Sequence, residues 1–200
     1  MEIEDTFGFL LGTWTITRSI KDHRSGLAGS FEGRAVLEPA TPDPGSPLVV
    51  EAHYGEAGEL RFRGHTGPAH RSLEYVRLPS TAVMLYFPSR QPFIELDLRS
   101  GGSRTTHLCG RDHYEVSALV LSDDLVREQW RVRGPDKAYD AVTTLVRADY
   151  QRELSRRQLP RAPHRVVTDP RHHSPHRADH GVAPTSVRAR FALAAAYLPD

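Results

Sequence analysis

Two charged side chains stand where an antiparallel strand would turn apolar groups inward. In LLGTWTITRSI, residues 10–20, alternate positions place Trp14, Ile16, Arg18 and Ile20 on one face and Thr13, Thr15, Thr17 and Ser19 on the other. In LVREQWRVR, residues 125–133, Val126, Glu128, Trp130 and Val132 share a face in the same way. A lone charge withdrawn from water is strongly disfavoured, so each calls for a partner. One reading sets Arg18 and Glu128 in a polar patch lining an interior cavity, answering each other or a ligand. The other sets them near a strand end, where they reach solvent.

Other side chains could do chemistry in principle. His107 and Cys109 share a face of SRTTHLCG, with Asp112 and His113 close behind. That spacing matches no common zinc pattern and a second cysteine is missing, so no metal is expected. A nucleophilic Cys–His pair would need a third, orienting group that the sequence does not identify. His65 and His70 flank Gly67-Pro68, read as a tight turn, and either imidazole could face a cavity mouth or simply be solvated. No phosphate-cradling glycine loop, nucleophile elbow or HExxH helix is present.

The elements that must position these residues repeat with a period of two from Gly12 to Arg147, with turn residues every 8–12 positions. Alternation of this kind reads as ten or eleven short antiparallel strands. Meander order with short turns favours an up-and-down closed barrel, which removes exposed edges. A brief helix over EDTFGFLL, residues 4–11, precedes the first strand. Beyond Tyr150 the chain turns rich in Arg, His and Pro and poor in large apolar groups, so residues 151–200 are expected to be a mostly disordered tail, with one short helix at 186–198. The tail histidines His164, His172, His173, His176 and His180 could hold transition metals only loosely.

Charge divides along the same line. Residues 1–150 carry 17 Lys+Arg against 21 Asp+Glu, a net of −4, and residues 151–200 carry 9 against 4, a net of +5. An acidic folded part argues against a nucleic-acid-binding core. The single cysteine suits a reducing compartment, and the acidic start MEIEDTFGFLLG has neither a signal peptide's basic flank nor the length of a membrane span. The expectation is a cytoplasmic protein, monomeric or homodimeric, that engages neither membrane nor nucleic acid.

Several strings taken together, FLLGTWTITRSIKDHRSGLAGSFEGRA, GHTGPAHRSLEY, RQPFIELDLRSG, THLCGRDHYEV and WRVRGPDKAYDAVTTLVR, resemble in order the motifs of a bacterial family, domain of unknown function 6314. The resemblance covers about residues 7–148 and implies a calycin-like barrel of the lipocalin or fatty-acid-binding type, without implying an activity. It further implies structural roles for Gly12, Trp14 and Arg147, with the tryptophan at the closed end and the arginine of the last strand stacked over it. Ile94 stands where the family usually has histidine, so a site that used that histidine lacks a member here. Haem-binding barrels of the nitrobindin kind carry further glycines after the tryptophan, whereas Thr15 and Ile16 follow here, so no cofactor is expected and haem least of all.

The reading that results is an all-β calycin-like barrel over residues 5–150 that holds a small, partly apolar ligand. Arg18, Arg71, Tyr75, Asp97, His107, Glu128 and Trp130 are its candidate ligand-binding residues. A rival reading is a cofactor-free isomerase or hydrolase with His107 or Asp97 as general base. A third is a structural or interaction domain with a filled core. A cavity of several hundred Å³, on the order of ordinary ligand sites, faced by both Arg18 and His107, would favour the first two.

Overall fold

The computed structural model describes residues 1–41, 43–45 and 48–152; the expected tail and its helix at 186–198 lie outside the described residues. A helix, α1 (Thr6–Leu10), leads into ten antiparallel strands: β1 (Gly12–Asp22), β2 (Ala28–Pro39), β3 (Ala52–Phe62), β4 (His65–Arg77), β5 (Val83–Tyr86), β6 (Pro92–Leu96), β7 (Gly102–Cys109), β8 (Asp112–Ser122), β9 (Leu125–Arg133) and β10 (Ala138–Arg147). They form one sheet in the order β6-β5-β4-β3-β2-β1-β10-β9-β8-β7, a meander whose first and last strands pair with each other. The sheet curls until β6 and β7 lie side by side, giving a nearly closed barrel. Side chains bridge that seam, with the Phe93 ring 5.2 Å from the ring of His107.

Alternation positions the interior. Trp14, Ile16, Arg18, Ile20 and Asp22 of β1 are buried between exposed or half-buried neighbours, and β9 buries Val126, Trp130 and Val132 in the same manner. At one end Asp5 caps α1, its carboxylate accepting from the Phe7 amide at 3.1 Å. Trp14 donates its indole N–H to the Leu10 carbonyl at 2.9 Å. The Arg147 guanidinium lies 4.2 Å from the centre of the Trp14 ring and donates to the carbonyls of Leu11 and Asp123, each at 3.0 Å, and to that of Phe9. One side chain thereby covers the tryptophan and satisfies carbonyls at the end of α1 that have no helical partner.

The β3–β4 hairpin differs from the sequence expectation. Its turn is Arg63-Gly64, both at positive φ (55° and 75°), the conformation of a two-residue turn whose twist matches the flanking strands. Gly67 and Pro68 lie within β4, opposite Leu60 and Glu59, and are not a turn. His65 and His70 are exposed on that strand. Further along, Gly33 of β2 faces Gly58 of β3. A Cβ on Gly58 would come within 2.2 Å of the Glu32 carbonyl and 2.8 Å of the Phe31 ring. The bare backbones make room for Phe31, which is fully buried and lies beneath Arg18. Among the described residues no helix is long and apolar enough to cross a membrane.

Candidate functional site

Glu56 answers Arg18. Residues 52, 54, 56, 58, 60 and 62 of β3 share the inward face, which carries the Glu56 carboxylate into the interior with its side chain fully buried. Arg18 meets it as a two-pronged pair, Nη1 to Oε1 at 2.8 Å and Nη2 to Oε2 at 3.1 Å, while its Nε donates to Thr143 Oγ1 at 2.7 Å. Arg71 Nη2 at 2.9 Å and the Tyr54 hydroxyl at 2.7 Å also donate to Oε2. The Arg18 guanidinium sits 5.4 Å from the centre of the buried Phe31 ring. Burial pushes the Glu56 carboxyl up, but the charges of Arg71 and Arg18 and the hydrogen bonds from Arg18 and Tyr54 more than offset that and hold it at about 2. Burial and the neighbouring Glu56 push the Tyr54 hydroxyl well up, so it stays a donor.

Between this polar layer and the Trp14 end lies a largely enclosed cavity of about 40 Å³. Its wall is mostly apolar, including Leu73, Leu85, Ile94, Leu96 and Leu145, and it takes polar groups from Tyr54, Arg71, Tyr75 and Glu128. Arg71 spans the two features: one nitrogen on Glu56, its guanidinium 5.2 Å from the centre of the Trp130 ring. Burial, with the charge of Glu128 adding to it, raises the Tyr75 hydroxyl, which therefore stays protonated. Glu128 accepts from Trp130 Nε1 at 3.3 Å and, among the described residues, makes no ion pair within 4.0 Å. The expectation that Glu128 balances Arg18 is thus corrected: Thr143 lies between them in register, and Arg18 turns the other way, over β2 to Glu56 of β3.

A family model matches residues 10–147. The chain belongs to DUF6314, a family of unknown function. No curated protein matches it. Among solved structures it is similar to the S-type phycobiliprotein lyase CPES of Guillardia theta, at 11% identity over 74% of this chain and 93% of that one, with a TM-score of 0.43. It is also similar to a DUF3598 protein of unknown function from Nostoc punctiforme (14% identity, 70% of this chain and 47% of that one, TM-score 0.42) and to the redesigned β-barrel mFAP0 bound to DFHBI (14%, 70% and 99%, TM-score 0.35). Likeness at that level carries no argument about function.

Within this DUF6314 barrel the expected site residues separate into three places. Arg71, Tyr75, Glu128 and Trp130 line the cavity, and Arg18 stands behind them without lining it. His107 lies at the β6–β7 seam, half-buried among Phe93, Phe87 and Tyr114, and burial lowers its pKa. Asp97 faces away from the interior: Arg99 donates to its Oδ1 from Nε at 2.9 Å and to its Oδ2 from Nη2 at 2.6 Å, and those bonds lower its pKa. Asp112 is held by Lys137 at 2.7 Å, and Cys109 is exposed. Ile94 is buried in the cavity wall. Glu56, Tyr54 and Thr143 escaped the sequence reading of the site. Even-numbered alternation carried on from Ala52 and Tyr54 would have found Glu56.

Proposed function

We propose that this barrel is a small-molecule-binding module whose site is the cavity between Trp14 and the Arg71–Glu128 layer. The observation that carries the reading is the convergence of Arg71, Glu128, Tyr54 and Tyr75 on one largely enclosed, otherwise apolar space. The cavity of several hundred Å³ faced by Arg18 and His107 is not what is found. At about 40 Å³ it has room for about three waters, taking 10–15 Å³ for each. A larger ligand must therefore move side chains, and the seam that Phe87 and Phe93 plug is where the sheet offers least resistance. The small volume favours a second reading, a domain whose core is simply filled.

General-base catalysis has less behind it. Asp97 is engaged by Arg99 on the outside, and among the described residues no carboxylate lies within 4.0 Å of His107 to orient it. The single exposed thiol fits a reducing, cytoplasmic setting, and the binding reading calls for no cofactor. Native mass spectrometry of the purified chain separates the two readings. A bound small molecule that is released on acid unfolding supports the binding module. An adduct-free protein that no member of a small-molecule library stabilises against heat leaves the filled core.

A further inference from the structure

We infer that the ligand presents a nitrogen hydrogen-bond donor to Glu128 and is not an anion. The inference rests on the binding module proposed above and names the chemistry of its ligand. A buried and a half-buried arginine invite the opposite conclusion, that the site captures a carboxylate or phosphate. The geometry points elsewhere because the protein already supplies the anion. Glu56 takes both prongs of Arg18, one nitrogen of Arg71 and the Tyr54 hydroxyl, so much of the positive charge an incoming carboxylate would need is already matched by a fixed one. An anionic ligand would have to compete with that fully buried carboxylate for the two guanidiniums.

Glu128 is in the converse position. It lines the cavity, it accepts one long hydrogen bond at 3.3 Å from Trp130, and no cation of the described residues is within ion-pairing distance. A carboxylate has two oxygens and about four acceptor sites, so most of its capacity faces the cavity unused. Formal charge agrees: Arg18 and Arg71 are matched by Glu56 and Glu128, so the site has no net positive charge to offer an anion. A second carboxylate placed against Glu128 would be repelled, whereas an amine, amidine or N–H heterocycle would gain a charge-assisted bond. The aliphatic walls from Leu73, Leu85, Leu96 and Leu145 suit an apolar body behind that nitrogen.

Three probes of nearly one shape isolate the point: benzamidine, benzamide and benzoate, titrated into the full chain and followed by amide and indole NMR shifts. Benzamidine and benzamide are expected to shift the Trp130 indole resonance and to bind at least tenfold more tightly than benzoate. Glu128→Gln is expected to weaken benzamidine at least tenfold while leaving the thermal midpoint within a few degrees. The ranking in the unaltered protein requires no variant to fold. Benzoate binding as well as benzamidine at the same site would overturn the inference and leave the binding module standing. If none of the three perturbs the cavity-lining residues, the inference is overturned, while the binding module is still decided by native mass spectrometry.

Discussion

Removing the charge of Glu56 would leave the buried Arg18 and the half-buried Arg71 against a neutral amide. Glu56→Gln keeps the shape and one acceptor oxygen but strands two guanidiniums, a change that costs about 3–5 kcal/mol when one partner of a buried pair is lost. Urea denaturation at pH 7 measures it; a loss below about 1 kcal/mol would mean the cluster is hydrated. The same carboxyl dictates a pH dependence. Its pKa is about 2 in the fold against an ordinary 4.5, so the folded state binds the proton less readily than the unfolded chain. Its contribution is then fully present above 4.5 and is lost as pH falls towards 2, on the order of 3 kcal/mol at about 1.4 kcal/mol per unit. Asp22, also held at about 2, adds a similar acid limb: burial pushes its carboxyl up, and hydrogen bonds from Arg63, Ser25 and the Arg24 amide outweigh that. The stability gap between the unaltered chain and Glu56→Gln should therefore narrow from pH 6 to pH 2.5, while Asp22→Asn retains the Glu56 part of the acid limb.

Strands β2 and β3 hold the element-scale test, because their glycines are not equivalent. Gly58→Ala would drive a Cβ to 2.2 Å from the Glu32 carbonyl and 2.6 Å from the Gly33 Cα, so the sheet must spread or Phe31 must move. Overpacking of this sort costs about 1–3 kcal/mol. At Gly55, on the outer face three residues earlier, an added Cβ meets nothing within 4 Å, so Gly55→Ala should be neutral or stabilise by about 0.4–1 kcal/mol through the unfolded chain. Equal effects in chemical denaturation would argue against the close approach. The same segment shows how far sequence reasoning reaches. Alternation made nearly every strand legible, from Trp14-Ile16 in β1 to Val126-Trp130 in β9, because one buried face imposes period two. YGEAGEL hid Glu56 because Gly55 and Gly58 look like turn residues until the β2–β3 register shows Gly58 facing Gly33. Gly67-Pro68 misled in the opposite sense: the turn signal lay in the positive φ of Arg63-Gly64, and Pro68 is accommodated inside a strand. Arg18 announced a buried charge, yet its partner lies 38 residues away, and cavity size depends on how side chains from ten strands interlock. Neither is written in local pattern.

At the scale of the whole barrel, closure is uneven. Among the described residues nine strand pairs share backbone ladders, and β1 is held on both sides, by β2 over Gly12–Lys21 and by β10 over Trp14–Asp22. Between β6 and β7 no ladder is formed among the described residues; side chains join them there, with the Asp97 amide donating to Ser103 Oγ at 3.3 Å and the rings of Phe87 and Phe93 set against His107. Backbone groups that lack a ladder on one side open at lower free energy than those bonded on both. Amide hydrogen exchange should accordingly be fastest, among the strands, in β6 (Pro92–Leu96) and β7 (Gly102–Cys109) and slowest in β1. Phe93→Ala removes the ring that touches His107, Tyr114 and Trp130 and should accelerate exchange in β6 and β7 without a comparable change in β1. Uniform acceleration across all ten strands would instead mean global destabilisation, with the seam no weaker than the rest. Selective opening would link the fold to the site, since the Phe93 ring that plugs the seam packs on Trp130, beside the Glu128 carboxylate that faces the cavity.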